Sequence, residues 1–440
     1  MTVTVFLVSL CGAMALGMPV AFSLIVCGLA LMLSMGIFDS QIVALKLIEG
    51  SDNFQLLAVP FFLLAGELMN AGGLSRRIVN FAISLVGHIH GGLGYVAIFA
   101  AIIMAALSGS AAADTAALAS ILIPMMRNAG YDVPRSAGLI AAGGIIAPVI
   151  PPSVGFIIFG VAANVSITQL FLAGVFPGLL MGASLVLAWA WVVRRTKVKE
   201  HPRAGWDVRF AAFKDGIFAL FMPAIILGCL KFGWATPTEA AVFAAVYALL
   251  VGLFVYRELK LSHLYAVFLT AAKTTAVVMF LVAAALISAW LITQANIPGE
   301  LATVLEPFKG NQTLLLLIMM ALVIVIGTAL DFAPTVLILT PVLMPIVKSA
   351  GIDPVYFGVL FIMNNAIGLI TPPVGIVLNV VAGIGRVPMG AVIRGVTPFL
   401  VAQTVVLFTL VLLPQWVIAP LAWLRDRISF IEMLQRMFLP

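Results

Sequence analysis

A chain of 440 residues that is 63% hydrophobic and only 9% charged, with mean hydropathy +1.21, falls far below the roughly 25% charged residues of soluble domains. Its apolar residues come in long runs and not in alternation, which excludes a membrane β-barrel and leaves an all-α polytopic protein whose solvent is the lipid bilayer. The net charge of +6 comes from basic residues in short loops, so no nucleic-acid partner is expected.

In chain order, residues 1–5 carry no basic n-region, so no cleavable signal peptide is expected. Residues 6–35 are apolar for longer than one helix needs at ~1.5 Å per residue across a hydrocarbon core of ~30 Å. The Gly17-Met18-Pro19 break predicts two short spans instead. Residues 39–53 read as a polar-faced connector, and 56–71 as a span containing Glu67. Leu74–Val86 is amphipathic: Ile78, Phe81, Ala82 and Leu85 share one face, while Arg76, Arg77, Asn80 and Ser84 share the other. Such a helix lies in the interface. Residues 95–107 and 116–126 are each short for a crossing, and the polar stretch 108–115 between them predicts a re-entrant hairpin over 95–128 with its tip in mid-membrane. A helix broken at Pro151-Pro152 follows over 136–163, and a closing span near 170–193.

The pattern then returns. Pro124, Ala129, Gly130 and Asp132 recur 221 positions later as Pro345, Ala350, Gly351 and Asp353. Pro151 and Pro152 recur as Pro372 and Pro373; Gly174, Val175 and Pro177 recur as Gly395, Val396 and Pro398. One ungapped offset for all of these indicates an internal duplication. The second copy has short spans at 217–230 and 237–255, an amphipathic segment at 298–308, a hairpin over 314–347, a broken helix over 355–383 and a closing span near 396–417.

Seven basic residues, Arg194, Arg195, Lys197, Lys199, Arg203, Arg209 and Lys214, make the most basic loop, which the positive-inside rule places in the cytoplasm. The expected units are therefore a first repeat at 1–193, a basic linker at 194–215, a second repeat at 216–418 and a tail at 419–440. Five crossings per repeat make the second inverted relative to the first and put the tail in the periplasm.

Inverted repeats, broken helices and two mid-membrane tips are the pattern of a secondary transporter. Half-helix N-termini suit a carboxylate, and carbonyls freed at the breaks suit Na⁺. In the first half the candidates are Ser108, Gly109, Ser110, Asp114 and Thr115, facing Pro148, Pro151, Pro152 and Ser153. In the second they are Gly327, Thr328, Asp331 and Thr335, facing Asn364, Asn365, Gly368, Thr371, Pro372 and Pro373. Na⁺ is expected near Ser108, Ser110, Pro148, Thr328, Gly368 and Thr371. A charged Asp near the bilayer centre costs at least ~2.5 kcal/mol, so Asp114 and Asp331 need a reason to be there. Helix capping is the plainer reason and ion binding the sharper one. Lys273 reads as a snorkelling residue, and Glu67 and Glu239 as solvent-facing or paired with another chain. Trp189, Trp191, Trp416 and Trp423 fit an aromatic belt. Cys11, Cys27 and Cys229 lack metal or disulfide spacing and read as packing residues, and none of the four histidines lies in a long apolar run.

Residues 60–66 (Pro-Phe-Phe-Leu-Leu-Ala-Gly), 107–115 (Leu-Ser-Gly-Ser-Ala-Ala-Ala-Asp-Thr) and 150–153 (Ile-Pro-Pro-Ser) resemble the large membrane subunit of TRAP transporters, the DctM-type permeases. So do 334–345 and 368–375, the latter reading Gly-Leu-Ile-Thr-Pro-Pro-Val-Gly. The resemblance covers nearly the whole chain. It implies a bacterial inner-membrane, Na⁺-driven, elevator-type importer of small organic acids, with Na⁺ as coupling ion and no organic cofactor. It also implies two partners, a four-helix small membrane subunit and a periplasmic substrate-binding protein. The similarity is greatest to the branch handling sugar acids such as 2,3-diketogulonate. A stand-alone carboxylate transporter of the related ion-transporter superfamily shares hairpins and broken helices. An intramembrane serine or aspartyl protease is disfavoured, because neither Gly-x-Ser-Gly nor Gly-x-Gly-Asp is present. Nothing resembles the filter of a channel.

Overall fold

The computed structural model describes residues 2–194, 196, 198, 202–308, 310–328 and 330–423. Arg195, Lys197 and Lys199 of the basic loop lie outside the described residues, as does all of the expected tail beyond Trp423. The chain is all-helical among the described residues. Seven helices there are long and apolar enough to cross a membrane, and several shorter apolar helices accompany them.

The Gly17–Pro19 break separates α1 (Thr2–Ala15) from α2 (Val20–Met35), because Gly17 adopts φ 83° and Pro19 ends its predecessor's hydrogen-bond ladder. The two helices pack on each other. Residues 39–53, expected as a connector, instead form α3 (Ser40–Ser51). Asp39 caps it by accepting from the Gln41 amide at 2.7 Å, and α3 finds a partner in a later helix. That partner is invisible to local pattern, so the polar-faced connector carried no sign of what it packs on. Next come α4 (Ala58–Ala71) and the amphipathic α5 (Leu74–Val86), whose bounds match the expectation.

The first hairpin is α6 (Gly92–Ser108) and α7 (Ala111–Asn128); the first broken helix is α8 (Val133–Gly144) and α9 (Val154–Ala163), followed by α10 (Ile167–Val193). Beyond the basic loop lie α11 (Trp206–Lys231), α12 (Pro237–Leu250, extended by a π-helical turn at Val251–Val255), the 34-residue α13 (Leu261–Gln294) and α14 (Ile297–Leu305). Within the amphipathic segment expected at 298–308, the side chains of 302–305 lie outside the described ones. The second hairpin is α15 (Gln312–Gly327) and α16 (Phe332–Ser349), then α17 (Pro354–Gly368), α18 (Ile376–Gly385) and α19 (Met389–Leu412). The sequence repeat has a structural counterpart: α7 and α16 both have 18 residues and start at positions 111 and 332.

Two groups of helices result. In one, α2, α3 and α4 pack with α12 and α13; in the other, α6–α10 interleave with α15–α19. Within the second group the halves exchange partners: α7 packs on α18 while α16 packs on α9. Arg127, in the last turn of α7, donates to the Gly385 carbonyl at 2.6 Å and so satisfies an orphan acceptor at the end of α18. α8 and α19 approach at backbone distance, since a Cβ on Gly138 would lie 2.6 Å from the Gly395 carbonyl carbon. The amphipathic α5 packs on α11 as well as on α6, and α11 in turn packs on α12. Arg77 fastens α5 there. Its guanidinium bonds Glu258 at 2.6 Å and Asp215 at 3.2 Å, and stacks 3.9 Å over the Tyr256 ring. Burial alone would lower the Arg77 pKa, but the Glu258 hydrogen bond and the Asp215 charge outweigh it and hold the guanidinium above its usual range.

The tryptophans divide. Trp191, Trp416 and Trp423 are exposed, as a belt requires, but Trp189 is buried. Its indole donates to the Gly91 carbonyl at 2.9 Å and its ring stacks on Tyr131, so the belt expectation fails there. Gly94 makes room for it: a Cβ would fall 2.0 Å from the ring. Glu239 is exposed and forms a capping box with Thr236 at the start of α12, while Glu67 is half-buried on α4. Cys11, Cys27 and Cys229 are free thiols.

Candidate functional site

A cavity of about 210 Å³ lies where the two hairpin tips meet the two helix breaks. Gly109, Ser110 and Ala112 line it from the first tip, and Asp331, Phe332 and Ala333 from the second. Pro148 comes from the first break and Leu369 from the second. The opening residues of α9 (Val154, Gly155) and α18 (Ile376, Val377) complete that wall. Four helix N-termini, those of α7, α9, α16 and α18, therefore end at one small space. Each carries roughly half a positive elementary charge. Asp331 is the one charged side chain in the lining.

The first tip is built for close approach. α6 stops at Ser108, Gly109 turns the chain at φ 64°, and Ser110 caps α7 by accepting from the Ala113 amide at 3.4 Å. A Cβ at Gly109 would sit 2.4 Å from the Pro152 carbonyl oxygen, so the tip rests directly on the broken backbone. Behind the tip, the Ser108 hydroxyl donates to the Asp114 carboxylate at 2.5 Å and receives the Ser110 amide at 3.1 Å. Asp114 lies in the first turn of α7 and is not its cap, which corrects the capping expectation for this residue. Its second oxygen, Oδ2, is buried without a partner, as is the Thr115 hydroxyl. That hydroxyl fills the place a Gly144 side chain would take, at the end of α8.

In the first break the Ser153 hydroxyl donates to the Pro148 carbonyl at 2.5 Å and receives the Phe156 amide at 3.2 Å, capping α9. The Pro151-Pro152 peptide is cis, and so is Pro372-Pro373. Residues 145–153 are all buried, yet the carbonyls of Ala147, Val149, Ile150 and Pro151 accept no hydrogen bond among the described residues. Buried acceptors without donors call for a cation or ordered water. The oxygens of Asp114 and Thr115 noted above are likewise buried without partners, and all of these are donors of the oxygen type that hard cations take. Oxygen donors of this type would suit Na⁺.

The second tip is arranged differently. Asp331 is the cap of α16, accepting from the Phe332 amide at 2.6 Å, so capping holds here. The Thr335 hydroxyl bonds back to the Asp331 carbonyl at 2.8 Å. Asn365 donates to the Phe332 carbonyl at 2.7 Å and ties the tip to α17, while a Cβ on Gly368 would lie 3.0 Å from the Gly327 carbonyl oxygen. The neighbouring Asn364 is buried, donates to the Met320 carbonyl at 2.7 Å and leaves its Oδ1 without a partner. Thr328 and Thr371 do not line the cavity; each hydroxyl returns to a carbonyl of its own helix, Val325 and Ile367 respectively. Pro372 and Pro373 are more exposed than their counterparts, so the second break is open where the first is sealed.

Sequence reasoning missed two walls. Leu63 on α4 and Thr274 and Val278 on α13 face the same cavity from the other helix group. The pair Thr270 and Thr274, four residues apart in an apolar run, was the available signal, although the Thr274 hydroxyl itself bonds back to the Thr270 carbonyl at 3.1 Å.

Residues 7–416 match the family model of the tripartite ATP-independent periplasmic transporter, DctM component. A putative TRAP transporter large permease protein of Haemophilus influenzae is 55% identical, covering 97% of this chain and all of the relative. The 2,3-diketo-L-gulonate TRAP transporter large permease protein YiaN of Escherichia coli is 53% identical over 96% of this chain and all of its own length. The sialic acid TRAP transporter large permease protein SiaM of Vibrio cholerae is 40% identical over 92% and 95%. The YdaH transporter of Alcanivorax borkumensis has the same fold at TM-score 0.61 and 16% identity, covering 89% of this chain and 90% of that one. These relatives are transport proteins and not enzymes, and this multi-pass membrane chain belongs to the DctM large-permease family of tripartite ATP-independent periplasmic transporters.

Proposed function

We propose that the chain is the permease of a Na⁺-coupled, binding-protein-dependent importer of small organic acids in a bacterial inner membrane. The observation that carries this is the convergence of four helix N-termini on a cavity whose lining holds no basic side chain. An organic anion there is met by backbone amides and dipole ends. At about 210 Å³ the cavity is smaller than the ~300–1,000 Å³ of drug-sized ligand sites, which suits a small solute. A sugar acid is the preferred substrate class, because the 2,3-diketo-L-gulonate permease is 53% identical.

A bound Na⁺ supplies positive charge that offsets both Asp114 and an incoming carboxylate. The residues that would hold it are Asp114 and Thr115 with the free carbonyls of the first break, and, in the second half, the backbone around Gly327, Gly368 and Thr371. Ser108 orients the Asp114 carboxylate, and the tip at Gly109 seals the break from the cavity side. The 221-residue offset, with an odd number of crossings per half, supports inverted repeats at 1–193 and 216–418 joined by the basic segment 194–215, whose residues from Trp206 onward already belong to α11. The two helix groups support an elevator: α6–α10 with α15–α19 form the carrier, the remaining long helices form the scaffold, and α5 and α14 connect the two. A small four-helix membrane subunit would cover the scaffold, and a periplasmic protein would deliver substrate.

Uptake into proteoliposomes tests this reading. The chain and its small subunit are supplied with labelled sugar acids and sialic acid, with and without an inward Na⁺ gradient and a purified binding protein. Uptake that needs both supports the tripartite importer. Uptake with the gradient but without the binding protein assigns a stand-alone carboxylate transporter instead.

A further inference from the structure

Arg135, in the first turn of α8, and Arg394, in the first turn and a half of α19, stand in one surface groove of about 690 Å³ with Trp191 of α10. Neither guanidinium forms an ion pair among the described residues. Arg135 Nε is buried with no hydrogen-bond partner. Arg394 is exposed, and its Nε donates to the Gly390 carbonyl at 3.2 Å. The acid closest in sequence to Arg135, Asp132, is occupied by the Arg135 backbone amide at 3.3 Å. Two cations thus share a rim and neither is ion-paired among the described residues, and neither lines the cavity at the hairpin tips.

Below the rim the groove is apolar. Val401 belongs both to it and to a second cleft of about 430 Å³, which continues along α19 past Val405 to Phe408. Val401 is 56% exposed and Val405 58% exposed, on a helix long enough to cross a membrane. From Arg394 to Val405 α19 rises about 16 Å at ~1.5 Å per residue. That is roughly half of the ~30 Å hydrocarbon core, the depth of one leaflet. Trp191 lies just before Arg194, where the basic loop begins, so the rim sits where aromatic and cationic side chains meet headgroups.

We propose that this groove holds one anionic phospholipid, with its phosphate between Arg135 and Arg394 and an acyl chain along Val401 and Val405. Charge complementarity selects the headgroup, and a leaflet-deep apolar track selects a lipid over a soluble anion. Basic clefts between membrane helices are suited to such headgroups.

The full-length chain in mild detergent, titrated with phosphatidylglycerol and read by native mass spectrometry, tests the assignment. Phosphatidylcholine and inorganic phosphate are run in parallel. Each basic residue near an anionic surface contributes about 1 kcal/mol, roughly fivefold, so Arg135→Gln and Arg394→Gln together weaken phosphatidylglycerol binding about thirtyfold. Arg76→Gln, at an exposed arginine of α5, leaves it unchanged. Val401→Trp blocks the track and removes the lipid with both arginines in place. Equal binding of phosphatidylglycerol by wild type and the double variant overturns the proposal. So does equal retention of phosphatidylcholine, which makes the groove merely apolar. Displacement of the lipid by inorganic phosphate, with Val401→Trp binding normally, overturns it in favour of a free-anion site.

Discussion

Replacing Gly109 by Ala isolates the contact on which the first half of the cavity depends. Two costs arise. The residue sits at φ 64°, and holding a non-glycine residue in the left-handed region costs about 1–2 kcal/mol. The new Cβ would also lie 2.4 Å from the Pro152 carbonyl oxygen, a backbone atom that no rotamer change can move. Overpacking of that kind typically costs about 1–3 kcal/mol. Gly130→Ala is the internal control: φ there is 84° and a Cβ would meet nothing within 4 Å, so only the first cost applies. The difference between the variants is the cost of parting the tip from the break. At about 2 kcal/mol it shifts the docked-tip equilibrium roughly thirtyfold. Na⁺-driven uptake in proteoliposomes is expected to fall by at least tenfold for Gly109→Ala and to change little for Gly130→Ala. Thermal unfolding should rank the two in the same order. Equal uptake and equal unfolding temperatures for both variants would mean that the tip does not rest on Pro152, and the sealed first break would have to be given up.

Three further outcomes follow from named contacts. Asp331→Ala removes the cap of α16, worth about 1 kcal/mol, and should abolish uptake with normal membrane insertion, whereas Asp331→Asn keeps a capping side chain and isolates the charge; normal uptake by the alanine variant removes Asp331 from the site. Asn365→Ala leaves the Phe332 carbonyl without its donor, at a cost of about 1–3 kcal/mol if water does not replace it, and both unfolding temperature and uptake should fall; an unchanged unfolding temperature shows that water takes the place. Arg77→Gln breaks two ion pairs whose acids are about half exposed, plus the stack on Tyr256, so destabilisation of only about 1–2 kcal/mol is expected. High salt should shrink the gap between wild type and this variant, and a gap that grows with salt contradicts an electrostatic clasp.

The amino-acid sequence by itself determined the class of molecule, the helix breaks and the positions of the tips. Composition decides that first point, because a chain with 9% charged residues cannot expose itself to water. Gly, Pro, Ser and Asp act locally on φ and on helix ends, so the turns at Gly17, Gly109 and Pro151-Pro152 could be placed without a partner in view. The repeat at offset 221 added the second set of tips, where α16 begins at Phe332 just as α7 begins at Ala111. Tertiary structure decided everything that needs a neighbour. Residues 40–51 are helical because α13 packs on them, Trp189 is interior because Gly94 leaves space for it, and Asp114 is braced by Ser108 instead of capping its helix. Thr274 reaches the cavity from α13, and the threonine pair in that helix does not by itself say which cavity it faces. Capping, turning and hydropathy are written in neighbouring residues, whereas burial and unsatisfied polarity depend on what a distant segment brings alongside.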